Sequence, residues 1–266
     1  MADIIQSPRV QPIYWGKFYS PLVVRIIESF LADIVTGTYM NNLAQYGIKR
    51  GQVLPLVRIA DPEPNSLDDR GDKLEVQKKL LDWLNHDRVP RPAVNEASLV
   101  YLIMPPVITE LNPGDNGMQG YHTCFKFNDD SARPDVVYCI LKTNDTDRTT
   151  IMKFLNDSSV AQKISHELFE AFNDPFVNGR QELGDGLEDN VYLYKSKWRV
   201  QQYLSAWPNG INGEQPISMK QFLFAIGKDP TVDGAVSSVG IKSFTTDAIA
   251  DFMADPNHLS ELFRRS

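Results

Sequence analysis

Apolar residues recur three and four positions apart in several stretches of the chain, which is the spacing of amphipathic helices. Pro21 stands where a proline favours the first turn of a helix, and Gly37 stops the pattern that follows it. The predicted helices run from Pro21 to Gly37, from Tyr39 to Tyr46, from Leu74 to Asn85, and from Asp157 or Ser158 to about Phe172.

Shorter apolar runs between polar loops predict β-strands. Leu99 to Met104 is almost entirely apolar, which is typical of a strand buried on both faces of a sheet. Lys197 to Trp207 is compatible with one more helix. The predicted strands are Gln11 to Tyr14, Val53 to Ile59, Leu99 to Met104, Tyr121 to Phe127, and Asp135 to Leu141.

The last third of the chain has a different pattern. Ser218 to Ile226 and Thr245 to Met253 are predicted helices, and a stretch rich in Gly, Ser and Val lies between them. We therefore predict an α/β domain over residues 1–210 and a mostly helical C-terminal appendage over residues 211–266.

Composition removes several classes of function. The chain has 266 residues and a formal net charge of −7, with no dense run of Lys or Arg, so neither nucleic acid nor a membrane is an expected partner. Met1 to Val10 lacks an apolar signal core, which predicts a cytoplasmic protein, or an extracellular one if a leader has been removed. The oligomeric state is left open. Cys124 and Cys139 suit either one bridge between adjacent strands or two buried thiols.

The segment His166-Glu167-Leu168-Phe169-Glu170 carries the clearest chemistry. His166 and Glu170 project from the same side of a helix, one turn apart, so both can grip one metal ion. In His-Glu-x-x-His enzymes two histidines bind zinc while the glutamate takes a proton from the attacking water. Here Glu170 replaces the second histidine, and a carboxylate is an accepted zinc ligand. We predict His166 and Glu170 as metal ligands and Glu167 as the general base.

A zinc site needs a third protein ligand, usually from outside the helix. Glu182 and Asp185 lie in a glycine-flanked loop downstream, and either one can supply it. One neutral and two anionic donors can hold zinc, but they weaken its Lewis acidity and suit manganese or calcium better than three histidines would. Zinc is the predicted ion, with calcium and manganese as alternatives.

Three predicted strands lead into this helix, which is the layout of the zincin fold. In that fold an edge strand receives the substrate as an added β-strand above the active-site helix. We expect Tyr121 to Phe127 to be the edge strand and His122 to steady the developing oxyanion. The predicted partner is accordingly a peptide or protein substrate.

A plainer interpretation competes with this one. Val160, Ile164 and Leu168 form the apolar stripe of the helix, and His166 and Glu170 fall on its more polar side, as solvated surface residues would. His122 read alone is a strand histidine with its hydrogen bonds satisfied. A weaker third hypothesis is carbohydrate binding through the tryptophans, although four dispersed tryptophans are more often core residues.

The chain resembles the phosphate-induced, EXORDIUM-like proteins and their bacterial relatives over roughly residues 10–207. The matching segments are Pro-Ile-Tyr-Trp-Gly at 12–16, the Tyr-Met and Tyr-Gly block within 30–48, Gly-Tyr-His at 120–122, and the paired motifs at 165–175 and 182–185. The last pair is similar to the family's His-Glu-Leu-Ala-Glu and Glu-Ile-x-Asp segments. The resemblance implies one recurring site that comprises His122, His166, Glu167, Glu170, Glu182 and Asp185.

The sequence thus predicts an α/β (α+β) protein with a zincin-like mixed sheet and an active-site helix. Its leading predicted function is a zinc-dependent hydrolase, specifically a metallopeptidase. The alternative is a non-catalytic binding or signalling protein on the same scaffold, with a structural or vestigial metal site.

Overall fold

A mixed six-stranded β-sheet is the centre of the computed structural model, which describes residues 4–16, 21–62, 64–94, 98–105, 110–114, 119–142, 159–178, 191–194, 198–201, 204–205 and 215–216. The first eight strands are β1 (Arg9–Trp15), β2 (Gln52–Val53), β3 (Val57–Ile59), β4 (Ser66–Leu67), β5 (Leu99–Met104), β6 (Glu110–Leu111), β7 (Gly120–Phe125) and β8 (Val136–Leu141). Strands β4 and β6 form a separate short parallel pair.

The order of strands in the sheet is β2-β1-β5-β8-β7, and β3 also pairs with β1. The pairing of β7 with β8 is antiparallel, and all the other pairings in this sheet are parallel. Within the described chain, β7 is therefore an edge strand, as the sequence predicts for this segment, and β2 and β3 lie at the opposite edge. The predicted mixed α/β class is confirmed.

Helices cover both faces of this sheet. They are α1 (Pro21–Thr36), a 3-10 helix (Thr38–Tyr46), α2 (Glu75–Asn85) and α3 (Ser159–Asn173). The buried residues of α1, the 3-10 helix and α3 share one core cluster, whereas those of α2 belong to a second cluster on the other face. All four predicted helices are thus confirmed, to within two residues at most boundaries.

Strand β5 explains why its sequence is almost entirely apolar. Val100, Leu102 and Met104 face the α1 and α3 side, and the alternate residues Leu99, Tyr101 and Ile103 face the α2 side. Successive side chains of a strand point to opposite faces, so a central strand between two helical layers needs apolar residues at every position.

The predicted strand from Val53 to Ile59 is two short strands instead of one. Pro55 lies between β2 and β3, and its carbonyl accepts a hydrogen bond from the Gln11 side chain at 2.8 Å. A proline has no backbone N–H to donate to a neighbouring strand, so the pairing with β1 is interrupted there and resumes at Val57.

The helix considered for Lys197 to Trp207 is wrong. The chain there forms β10 (Trp198–Gln201), which pairs antiparallel with β9 (Val191–Tyr194), and then β11 (Leu204–Ser205), which pairs with β12 (Gln215–Pro216). Trp198 and Val200 are both buried in the α1–α3 cluster, and Trp198 Nε1 donates to Asp33 Oδ2 at 2.7 Å. This spacing of two is that of a strand.

Residues 217–266 lie outside the described part of the chain, and so do the two helices predicted within them. The domain boundary near residue 210 therefore stays a prediction. Across the part that the structure does describe, no helix combines the length and the apolar character needed to cross a membrane.

Candidate metal centre

Strand β7 carries His122 to the face of the sheet that α3 covers. His122 stands opposite Cys139 of β8, and Cys139 belongs to the α1–α3 core cluster. Residues opposite each other in adjacent strands share a face, so the His122 side chain points toward α3. It is buried there, with only 9% of its surface exposed.

Helix α3 brings two carboxylates to the same place. Glu167 and Glu170 are three residues apart, which puts their side chains on one side of the helix. Both are buried, with 7% and 4% of their surfaces exposed, so the interpretation of Glu170 as a solvated surface residue is wrong. His166 is less enclosed, with 17% of its side chain exposed.

The side of α3 that bears Ser165, roughly opposite Glu167, is covered as well. Strand β10 packs along α3, where the backbone N–H of Gln201 donates to Ser165 Oγ at 3.0 Å. The Gln162 side chain also donates to Gln201 Oε1 at 2.7 Å. Helix α3 is therefore enclosed by the sheet and by a strand that the sequence pattern did not reveal.

The side chains of His122, Glu167 and Glu170 converge. Each offers one ligand atom, and these three atoms all lie within 4.8 Å of one another. The distance from His122 Nδ1 to Glu167 Oε2 is 4.0 Å, and that from His166 Nε2 to Glu170 Oε2 is 3.1 Å. Four of the six predicted site residues are thus brought together, with His166 on the outer side of Glu170.

Gly120 makes room for the Glu167 carboxylate. A Cβ atom placed on Gly120 would lie 2.9 Å from Glu167 Oε1, closer than such atoms approach each other in proteins. Sequence reasoning did not assign this glycine a role in the site, although it starts the Gly120-Tyr121-His122 segment. The available signal was a glycine, which has no side chain, two residues before the candidate His122.

Burial sets the electrostatics of the group. It lowers the pKa of His122, and the negative charge of Glu170 opposes this only in part. Burial also raises the pKa of the Cys139 thiol, and the nearby Glu167 and Glu170 carboxylates raise it further. The imidazole is therefore favoured in its neutral form, which is the form that binds metals, while the thiol keeps its proton.

The donor set suits a divalent cation. Two buried carboxyl groups beside a neutral imidazole offer oxygen and nitrogen donors, and buried charges are usually paired or bound to a metal. Two ligands of a tetrahedral zinc are about 3.4 Å apart, given Zn–O and Zn–N distances of roughly 2.1 Å. Side-chain shifts of about 1 Å would bring the three ligand atoms to that separation. Calcium, with ligands at about 2.4 Å and angles near 90°, places neighbouring ligands at about the same separation of roughly 3.4 Å.

The remaining candidate residues have mixed outcomes. Glu182 and Asp185 lie outside the described residues, so their predicted roles as ligands stay predictions. Cys124 and Cys139 are both free thiols, and they stand opposite other residues in the β7–β8 pairing.

The tryptophans do not form a described surface for sugars. Trp15 and Trp83 are buried against each other with their ring centroids 5.1 Å apart, and Trp198 is buried against Phe30. Of the four tryptophans, these three are core residues, and Trp207 lies outside the described residues.

Comparison with known proteins does not place the chain in a family. No family model, no curated protein and no solved structure matches it. The EXORDIUM-like resemblance therefore stays a prediction from the sequence.

Proposed function

We propose that this protein binds a divalent cation through His122, Glu167 and Glu170 and is a metal-dependent hydrolase that acts on peptide bonds. The observation that carries the proposal is the convergence of these three buried side chains, whose ligand atoms lie within 4.8 Å of one another. Zinc is the proposed ion, and manganese and calcium suit the same oxygen-rich donors. Asp185 or Glu182 is the proposed additional ligand.

The proposed roles differ from those that the sequence suggests at three residues: His122 becomes a ligand instead of the oxyanion residue, and Glu167 and His166 also change roles. A zincin-like motif makes Glu167 the general base, whereas its carboxylate lies inside the group of donors, beside His122 and beneath Gly120. We therefore assign Glu167 to cation binding. His166 is partly exposed and touches Glu170 at 3.1 Å, so we assign it the proton transfer to and from water.

A bound cation would polarise the scissile carbonyl and make water a better nucleophile. The chain itself supplies the position for the substrate. Strand β7 carries His122 and is the edge of the sheet in the described chain, so its free side can pair with an extended peptide. A peptide added to this strand would run next to the candidate centre. This arrangement supports a peptide as the substrate and the zincin-like interpretation of the fold.

The test has two stages. The first measures metal content of the purified chain and the change in melting temperature with Zn²⁺, Mn²⁺ and Ca²⁺. A cation at 100 times its Kd should stabilise the folded state by about 2.7 kcal/mol. Glu170→Gln should remove most of this effect, and Glu110→Gln, an exposed acid on β6, should leave it unchanged. Absence of bound metal together with no shift for any of the three ions would refute the proposal.

The second stage assigns the roles. Hydrolysis of a peptide library is measured for the wild type, Glu167→Gln and His166→Asn. We expect Glu167→Gln to lose both metal and activity, and His166→Asn to lose activity while it retains metal. If Glu167→Gln instead keeps its metal and loses only activity, Glu167 is the general base and our assignment of it to cation binding is wrong.

A second candidate function is a non-catalytic binding or signalling protein. The specific observation in its favour is that each carboxylate has a histidine partner: His166 for Glu170, and His122 for Glu167. Two protonated histidines would balance the cluster without a cation. The lowered pKa of His122 makes this arrangement less favourable, because burial opposes the charged imidazole.

A further inference from the structure

The two ring nitrogens of His122 have different surroundings. Nε2 lies 3.1 Å from the backbone carbonyl oxygen of Asp174, and Nδ1 lies on the side of the Glu167 carboxylate. A carbonyl oxygen can only accept a hydrogen bond, so Nε2 must carry the proton that it receives. A neutral imidazole has one ring proton, and Nδ1 is then the bare nitrogen.

The acceptor belongs to a closed turn at the end of α3, which we name the Asp174 turn (residues 174–178). The backbone N–H of Asp174 continues the helix by donating to Glu170 O at 2.7 Å. Val177 N–H donates to Asp174 O at 3.2 Å, and Asn178 N–H donates to Asp174 Oδ1 at 3.1 Å. The same carbonyl thus serves the turn and His122.

This turn is held closed against backbone strain. Val177 has φ of +49°, a left-handed conformation that is unfavourable for a β-branched residue. Val177 is also half exposed, so little burial compensates for the strain. Strained residues that persist beside candidate sites are often part of how those sites are organised.

We propose that Asp174 is a positioning residue: its turn holds His122 as the Nε2–H tautomer and presents Nδ1 as the metal-binding atom. The metal-binding half of this inference rests on the proposed function. The tautomer half does not, because the carbonyl contact exists without a cation. Fixing a ligating histidine through its second nitrogen is a general way to set its orientation.

The test reads the tautomer directly. Two-bond ¹H–¹⁵N correlation spectra of the metal-free full chain, with ¹⁵N-labelled histidine, distinguish protonated from bare ring nitrogens. The His122 signals are assigned by their loss in His122→Gln. We expect a single neutral form with the proton on Nε2. A proton on Nδ1, or a mixture of the two tautomers, would overturn the inference, and this arm needs no variant at Asp174.

Two variants then test the turn. Asp174→Asn keeps an oxygen that accepts from Asn178 N–H and removes only the charge, so its tautomer and metal affinity should stay close to wild type. Asp174→Ala removes the Oδ1 atom that accepts from Asn178 N–H and keeps the backbone carbonyl. The turn should then open, the tautomers should mix, and metal binding should weaken about tenfold or more. A single Nε2–H form with wild-type affinity in Asp174→Ala would show that the turn closure is not required. A chain that shows the expected tautomer but binds no cation would refute the proposed function and leave the tautomer assignment standing.

Discussion

Gly120→Ala tests whether the space that Gly120 leaves beside the Glu167 carboxylate matters for the candidate centre. Gly120 is not among the described glycines with positive φ, so alanine introduces a side chain without backbone strain. The new Cβ would lie 2.9 Å from Glu167 Oε1 and 3.0 Å from the Ile140 carbonyl oxygen. That carbonyl is part of β8 and cannot withdraw easily, whereas the carboxylate ends a flexible side chain. We therefore expect Glu167 to move.

The size of the effect follows from these distances. To reach ordinary van der Waals contact at 3.4 Å, Glu167 Oε1 must withdraw by about 0.5 Å. Because the three ligand atoms must already move by about 1 Å to close around zinc, this further withdrawal opposes binding. A shift of this size in one of three described ligands should weaken metal binding by about 10-fold to 100-fold. Overpacking should also cost about 1–3 kcal/mol of folding free energy.

Calorimetric titration with Zn²⁺ and Mn²⁺ measures the affinity, and urea unfolding without metal measures the stability. Ile13→Val is the matched control, because Ile13 is fully buried on the α2 side of the sheet. It should lose about 0.5–1.5 kcal/mol of stability and keep the wild-type Kd. Wild-type affinity in Gly120→Ala would refute the reasoning. So would an equal loss of affinity in both variants, because stability alone would then explain it.

Three further predictions concern stability, each measured by urea unfolding. Replacing Val177 with glycine should stabilise the fold by about 0.5–1 kcal/mol because it relieves a positive φ, whereas glycine at Val94, equally exposed but without positive φ, should destabilise it. The hydrogen bond from Arg88 lowers the pKa of Asp61, so this pair stabilises the fold above the ordinary carboxyl pKa of 3.8 and loses that effect as the pH falls below it. Accordingly, Asp61→Asn should cost up to about 1 kcal/mol at pH 7 and progressively less as the pH falls below 3.8; an equal cost at pH 7 and near pH 2 would contradict the linkage. The Tyr138 hydroxyl donates to the Asp69 carboxylate, which also accepts from backbone N–H groups at the start of α2. Tyr138→Phe removes this donor and should lower the free energy of unfolding by about 1–3 kcal/mol; an unchanged free energy of unfolding would contradict that role.

Local pattern was sufficient for most of the elements. The apolar residues of α1 can all be buried only if the segment is a helix, and the continuous apolar run of β5 fits a strand buried on both faces. The bounds predicted from sequence for both elements therefore agree closely with the structure. Pattern failed where the chain is short and irregular. The alternation at Trp198 and Val200 covers too few residues to be distinguished from a helix before α3 is in place.

Within the candidate site, the sequence identified the residues but not their arrangement. A spacing of three or four places Glu167 and Glu170 on one side of α3, whatever surrounds that helix. The burial of that side could not be predicted, because it depends on β7, which ends more than 40 residues before Glu167 in the chain. The same spacing is equally compatible with a solvated helix face.

The sequence by itself determined the chemical groups and their spacing along α3, together with the positions of the core strands along the chain. Only the tertiary structure placed His122 against the two carboxylates, left room for one of them at Gly120, and set the Asp174 carbonyl oxygen 3.1 Å from the imidazole. The physical reason is that helix periodicity is local, whereas burial and close contact depend on which distant segments pack against each other. The outcome is a buried group of one imidazole and two carboxylates whose ligand atoms lie within 4.8 Å of one another.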